Sequence, residues 1–252
     1  MLGDPWDGFR LGDGLGVPVA IGGKLTPGML LGAYRRAIFC QPRCDPNDIA
    51  LDTKTYYPDV QAGHIPVFHD GADPYGFLWW SPAIRYVIPV TGVYVNRSLR
   101  KTMRTSRWTT TVDASLDGIM AECRRNRKPQ WITDELVAAL RLLKDAGWVH
   151  TLEVWDSNYL VGGLYGYAIG SVFIMESAFH LAPDAAKVAI ADLASRAGAS
   201  GITLLDTEVK SDYTIHLGAA PITRQDYLPH LNTRNSPIRI EPGRRDVKCL
   251  VE

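Results

Sequence analysis

The chain has 252 residues, 46% of them hydrophobic and 21% charged, with 27 Lys plus Arg against 27 Asp plus Glu. That is the make-up of an ordinary globular protein of one large domain or two modest ones, and zero net charge excludes nucleic-acid or membrane binding driven by overall charge. No apolar run approaches the ~20 residues that span a bilayer, "MLGDPWDGFRLGDG" lacks the basic-then-apolar design of a signal peptide, and four scattered cysteines make neither a disulfide framework nor a paired zinc site; a cytoplasmic protein with no membrane partner and no metal is expected.

Residues 1–24 are glycine-rich and read as extended or loop. "TPGMLLGAYRRAIF" starts a helix, with Thr26 as N-cap and Pro27 at the first helical position. Residues 41–76, rich in Pro, Asp and Gly, read as a long loop or insertion. "FLWW" and "RYVIPV" are strands punctuated by Pro82. A basic helix follows from Arg97, then "WTTTVD", a strand by its β-branched residues. "SLDGIMAECRR" and "TDELVAALRLLKDAG" are amphipathic helices, the second capped by Thr133 and closed by Gly147. "HTLEVW", "NYLVGGLYGYAIG" and "SVFIMES" are consecutive strands turning at Asp156–Ser157–Asn158 and near Ala168–Gly170. A helix from Asp184 as N-cap to Gly198 as stop and a buried strand, "ITLLDTEV", complete a mixed α/β layout. The last twenty residues read as a loose tail.

Two patterns carry chemistry. In "NRSLRKTMRTSR", Arg97, Arg100, Lys101, Arg104 and Arg107 recur so that all five fall within an arc of roughly 120° on one helix face. Such a stripe is either a solvated face or a surface for a phosphate backbone. A second basic cluster, "RRNRK", follows at 124–128. The other pattern is acidic. Glu176 ends the apolar run Val172–Phe173–Ile174–Met175, where an ionised carboxylate is costly unless paired, hydrogen-bonded or employed. Asp206 and Glu208, two apart on their strand, share a face. Strands joined by one helix usually lie side by side, so the three carboxylates are expected to meet at one sheet edge. They can then hold an ammonium group and take its proton, as in general-base aminolysis, or serve only to cap helices and bind arginines; a divalent metal would want similar residues.

"GGKLTPGMLLGAYRRAIF", "LWWSPAIRYVIP", "RSLRKTMR", "QWITDELVAAL", "HTLEVW", "LVGGLYGYAIGSVF", "ESAF", "DAAKVA" and "HLGAAPITRQDYL" occur in that order, from about Val19 to Leu231. Together they resemble the leucyl/phenylalanyl-tRNA–protein transferases, bacterial enzymes of the N-degron pathway. The resemblance implies an α/β fold whose C-terminal domain is like the GCN5-related acetyltransferases, placed here at 77–232. A smaller N-terminal domain would occupy 1–76, with the insertion at 41–76, and 233–252 would be a tail. It implies transfer of an amino acid from aminoacyl-tRNA, held by its acceptor stem and 3′ end, to the N-terminus of a peptide or protein, with no cofactor. Glu176 would bind the substrate's amino group, Glu208 and Asp206 would relay its proton, and Trp131 would meet the terminal adenosine. The donor side chain would lie among Tyr165, Phe173, Met175, Ser177 and Phe179, with the basic helix against the acceptor stem.

The chain departs from the family at chosen places. The usual "DCQ" is Asp206–Thr207–Glu208, and the usual "GESMF" is Met175–Glu176–Ser177–Ala178–Phe179. The serine usually following that phenylalanine is His180, and the one before "LGA" is His216. Altered substrates on a kept mechanism are therefore the alternative: another donor, or a small-molecule amine as acceptor. An acetyl-CoA enzyme would need a glycine-built phosphate cradle that "AFHLAPDAAK" lacks. A tRNA-binding protein without activity would have no need to keep three carboxylates. A monomer is the default expectation.

Overall fold

The computed structural model describes residues 4–11, 16–70, 73–125 and 131–251, which divide into two compact units. The first comprises residues 1–83 and 126–142, the second 84–125 and 143–252. In the first unit β1 (Ala20–Gly22), α1 (Pro27–Tyr34), β2 (Phe39–Pro42), α2 (Pro46–Gln61), β3 (Val67–Phe68) and β4 (Phe77–Trp80) build a four-stranded sheet in the order β2-β4-β1-β3. Thr26 caps α1 as expected, its hydroxyl accepting from Met29 N at 3.1 Å. Residues 46–61, expected as loop, are instead the sixteen-residue α2. Its start repeats the Thr26–Pro27 device: Asp45 accepts from Asn47 N at 2.8 Å and Pro46 opens the helix. Asp52 is its one fully buried residue, held by Arg43 at 2.6 Å, while Ile49, Tyr56 and Val60 pack half-buried against the Ile21, Ile65, Tyr75 and Leu78 cluster, a sparse stripe that is easily missed.

The second unit begins with β5 (Ile84–Pro89), α3 (Arg97–Thr105), β6 (Trp108–Val112) and α4 (Leu116–Arg124). The chain then passes through α5 (Asp134–Asp145), whose first part belongs to the first unit. Thr133 caps it, accepting from Leu136 N at 3.1 Å, and Gly147 ends it at φ +78. β7 (Val149–Asp156), β8 (Tyr159–Ile169), β9 (Val172–His180), α6 (Ala185–Ala199), β10 (Leu204–Asp206), α7 (Asp212–Ile215), β11 (Ala220–Thr223), α8 (Arg224–Leu231) and β12 (Arg245–Asp246) follow. The sheet has the order β11-β5-β10-β9-β8-β7-β6-β12, antiparallel except where β9 and β10, joined by α6, run parallel. α6 packs its Val188, Ile190 and Leu193 into the core with Leu152, Leu164, Phe173 and Leu205 from the strands.

Three local expectations are corrected. Asp184 does not cap α6: it sits at φ +69, and its carboxylate instead binds Lys187 at 2.8 Å and Thr102 at 3.2 Å. α6 runs past Gly198, and the turn that ends it uses Gly201 at φ +84. Residues 233–251 are not loose. Ile238, Ile240, Val247 and Val251 are buried in the core, β12 pairs with β6, and Arg245 reaches the buried Asp192 at 3.0 Å.

Gly166 on β8 is the tightest point of the central sheet. A Cβ there would fall on the Ile174 carbonyl oxygen and the Phe173 ring, neither able to retreat. Gly166→Ala is expected to cost about 1–3 kcal/mol by overpacking. Gly76→Ala, with nothing within 4 Å, should stay within about 0.5 kcal/mol. Urea denaturation of the two variants checks this.

Candidate active site

β9 does not end at Glu176. It continues to His180, and the register shows how a charge is tolerated midway: Tyr165 pairs with Ser177 and Gly166 with Met175, leaving Glu176 as the extra residue of a β-bulge. A bulge re-aims one side chain without ending the strand, and Gly166, bare of side chain, faces it across the ladder. On the neighbouring strand, Asp206 lies opposite Ile174 in parallel register. β10 stops there, so Asp206 and Glu208 do not share a strand face as period two predicts. The chain turns instead. Thr207 N and Oγ1 both donate to the Tyr86 carbonyl at 2.8 and 2.9 Å, and Glu208 adopts φ +61 with its N–H on Asp206 Oδ1 at 2.7 Å. That left-handed glutamate costs on the order of 1–2 kcal/mol. It is the turn, not the strand, that carries Glu208 to Glu176.

Beneath the turn lies a buried anchor. Arg85 of β5, 1% exposed, donates from Nε at 3.1 Å and from Nη2 to Asp206 Oδ2. Tyr227 of α8 donates its hydroxyl to the same oxygen at 2.5 Å, and the guanidinium lies 5.2 Å from its ring centroid. Both Asp206 oxygens are thus engaged and its side chain is fully buried. Burial alone would lower the Arg85 pKa, but Asp206, Tyr227 and Glu208 outweigh it and hold the guanidinium above its ordinary range. Burial, then the Asp206 charge, pushes the Tyr227 phenol well up, so it stays a donor.

Glu208 stands at the border of this anchor, its side chain 16% exposed and its Oε1 3.9 Å from Arg85. Burial first, then the charge of Glu176, raises its pKa well above the usual carboxylate range; Arg85 opposes the shift, and Asp206 and a hydrogen bond with Glu176 reinforce it. Two carboxyls in hydrogen-bond contact share a proton. The three acids expected at one edge do meet there. Tyr165, opposite Ser177, is fully buried, and burial followed by the Glu176 charge pushes its phenol well up. Tyr165 Oη and Ser177 Oγ are buried and receive no hydrogen bond from the described residues. Among the described residues no group of three or more His, Cys, Asp or Glu is arranged to hold a metal ion.

The remaining expected residues are placed as follows. Phe173 is wholly within the core, Met175 packs against that core half-buried, and Phe179 is 8% exposed. Trp131 is half-buried in the first unit, just before α5. Arg97, Arg100, Lys101 and Arg104 are exposed on α3 opposite the buried Leu99 and Met103, and line a shallow groove with Ser98 and Thr105. Arg107 is exposed but lies beyond the helix end, so the helical stripe has four cations rather than five. In the second basic cluster Arg125 pairs with Glu122 at 2.6 Å; Arg127 and Lys128 lie outside the described residues. Arg85 and Tyr227 went unnoticed in the sequence. The signal for Arg85 was there: a charge inside the strand "IRYVIP" raises the same question as Glu176.

Residues 87–232 match the sequence profile of the family described as leucyl/phenylalanyl-tRNA protein transferase. The chain is 36% identical over 217 residues to a leucyl/phenylalanyl-tRNA–protein transferase of Hydrogenovibrio crunogenus, covering 84% of this chain and 72% of that protein. It is 36% identical over 224 residues to the protein of the same name from Shewanella baltica, covering 87% and 82%. Among solved structures, a GCN5-related N-acetyltransferase from Kribbella flavida aligns over 72% of this chain and 76% of its own with TM-score 0.37 and 12% identity, a likeness from which nothing about activity follows.

The raised Glu208 has a consequence for stability. Unfolding restores an ordinary glutamate, which gives up its proton at lower pH, so the folded state binds more protons and loses stability as pH rises between the two values. Glu208→Gln should therefore gain stability over the parent as pH climbs from about 4.3, and gain nothing below it. Arg85→Leu leaves Asp206 buried and uncompensated, at a cost of about 3–5 kcal/mol. Urea melts across pH 4–9 measure both.

Proposed function

The chain belongs to the leucyl/phenylalanyl-tRNA protein transferase family and is a tRNA-dependent aminoacyltransferase; on that premise we propose that it moves a leucine- or phenylalanine-like residue from charged tRNA to the N-terminal amine of a peptide or protein. The observation that carries this reading is the hydrogen-bonded Glu176–Glu208 pair seated on the Arg85–Asp206–Tyr227 anchor. The incoming amine must shed a proton to attack the ester carbonyl, and a second as the amide forms, while the departing 3′-oxygen takes one up. The ammonium gives its first proton to solvent; Glu208, once the pair has lost its shared proton, takes the second as the amide forms and returns it to the leaving oxygen. Glu176 holds the amine beside it as a charged acceptor. Asp206, with both oxygens engaged, is a positioning residue: it fixes the Glu208 backbone through the 2.7 Å contact and moves no proton itself. Ester aminolysis runs downhill, so no ATP is called for.

Further support comes from the exposed cations of α3, which suit the phosphate backbone of the acceptor stem. Trp131, in the family's "WIT" context, is assigned to the terminal adenosine, and the acetyltransferase-like layout to the second unit. One observation favours a second reading of the acceptor. Glu208 adds an acid where the family has glutamine, which suits a cationic or small amine acceptor.

Transfer from a tRNA pool charged with all twenty labelled amino acids, to peptides beginning with arginine or lysine, tests the proposal. Label should pass from leucyl- or phenylalanyl-tRNA to the peptide. Glu176→Ala should slow transfer by ~10²-fold or more, and Glu208→Gln should flatten the acidic limb of the pH–rate profile. Bound tRNA without transfer to any peptide would exclude a peptide acceptor. Full activity across pH in both variants would exclude the roles assigned to the pair.

A further inference from the structure

A pocket of about 320 Å³ opens where the segment before α3, the start of α6 and α7 come together. Tyr94, Asn96, Leu99, Lys187, Tyr213, His216 and Leu217 line it, none of them a member of the carboxylate cluster. Its floor is apolar: Leu99 and Leu217 are 1% and 3% exposed. Its walls are aromatic, yet Tyr94 is 61% and Tyr213 42% exposed, a poor use of two large rings unless something covers them. The volume sits at the lower end of the ~300–1,000 Å³ usual for small-molecule sites, room for one compact planar group rather than a chain of them.

The rim is polar and fixed. Lys187 is tied to Asp184 at 2.8 Å, and Asp184 also accepts from Thr102 of α3. His216 donates from Nδ1 to the Asp212 carbonyl at 2.5 Å. Burial, then the Asp184 charge, pushes the Tyr213 phenol up to about 12, so it remains a hydrogen-bond donor. The pocket also adjoins the basic stripe along the chain. Asn96, on its wall, caps α3, and the cationic groove begins at the next residue, Arg97; Arg100 bends back to within 3.4 Å of the Val95 carbonyl, between Tyr94 and Asn96 in sequence.

We infer that this pocket receives one unstacked nucleotide of the bound tRNA, its base lying on Tyr94 and Tyr213 and its backbone continuing along the cations of α3. The inference rests on the reading that tRNA is the substrate. An exposed aromatic pair over an apolar floor takes any base by its π-face, while adjoining cations follow the phosphates. His216, at a position where the family has serine, thus falls in this pocket rather than among the carboxylates, and belongs to RNA recognition rather than to donor choice.

The test uses the full chain and fluorescently labelled, uncharged leucine tRNA, titrated by anisotropy at several KCl concentrations. Tyr94→Ala with Tyr213→Ala should weaken binding by about 5- to 150-fold, the range for losing stacking on one base, with the salt slope unchanged. Tyr94→Phe with Tyr213→Phe should keep the affinity, whereas Arg100→Ala should lower affinity and reduce the slope by about 1. Tyr94→Ala alone serves if the double alanine variant fails to fold. Unchanged affinity in the alanine variants, or equal loss in the phenylalanine pair, overturns the inference and leaves the proposed function standing. A parent chain that does not bind tRNA at all overturns both.

Discussion

The carboxylate cluster rests on a buried ion pair, Arg85–Asp206. Arg85 and Asp206 come from antiparallel neighbours, β5 and β10, and neither has water to fall back on. Such a pair contributes little net stability, because desolvating two charges offsets most of their attraction. What it supplies is position. Asp206 is the last residue of a three-residue strand, and the groups it gathers, the Arg85 guanidinium, the Tyr227 hydroxyl and the Glu208 N–H, come from three other places in the chain. Break the pair and the turn that presents Glu208 has nothing beneath it.

The strain in that turn is consistent with this view. Glu208 is held in the left-handed region, at a cost that only an over-determined surrounding can maintain. On the adjoining strand Glu176 is presented by a bulge, again a departure from regular pairing. Two carboxyls reach one another through two irregularities, each braced by something rigid: the Asp206 anchor for one, the absence of a side chain at Gly166 for the other. Regular strands would have set them a fixed distance apart on the sheet face. Irregular ones let them share a proton.

Much of this was legible in the residues, and the limits have physical reasons. Caps at Thr26 and Thr133 read correctly because each hydroxyl accepts from the free N–H three residues on, whereas the carboxylate of Asp184, held at φ +69, is taken by Lys187 and Thr102. β7, β8 and β9 read correctly as strands because their apolar runs are long and their turns strong, but the charge at Glu176 reads as the end of β9, which runs on to His180. The parallel β9–α6–β10 connection brings Asp206 beside the strand of Glu176, as read from the sequence, but Glu208 arrives there by the turn after β10, which no local pattern announced. What was not legible is non-local or exposed. α2 hides because its core-facing residues Ile49, Tyr56 and Val60 are sparse and it carries Pro58, and the ordered C-terminal segment hides because its four buried residues are spaced without period. Arg85 and Tyr227 lie 121 and 21 residues from their shared carboxylate, so no local pattern joins them. The bulge is a register fact, invisible until Ser177 is paired with Tyr165.

The exchange of the family's glutamine for Glu208 then has a physical reading. A glutamate whose pKa burial and Glu176 hold well up is a neutral group over a wider range of pH than a solvated one. Protonated, it offers one hydrogen-bond donor and one carbonyl acceptor, the same kinds of group that a glutamine amide presents. The site can therefore accept the substitution without first meeting a third full negative charge beside Asp206 and Glu176. It differs from glutamine only once the proton leaves, when it becomes a base that an amide cannot be. On the proposed reading, the change keeps a neutral hydrogen-bonding group in the resting site and adds a proton acceptor only when that group ionises, which would let acceptor chemistry alter on a kept scaffold.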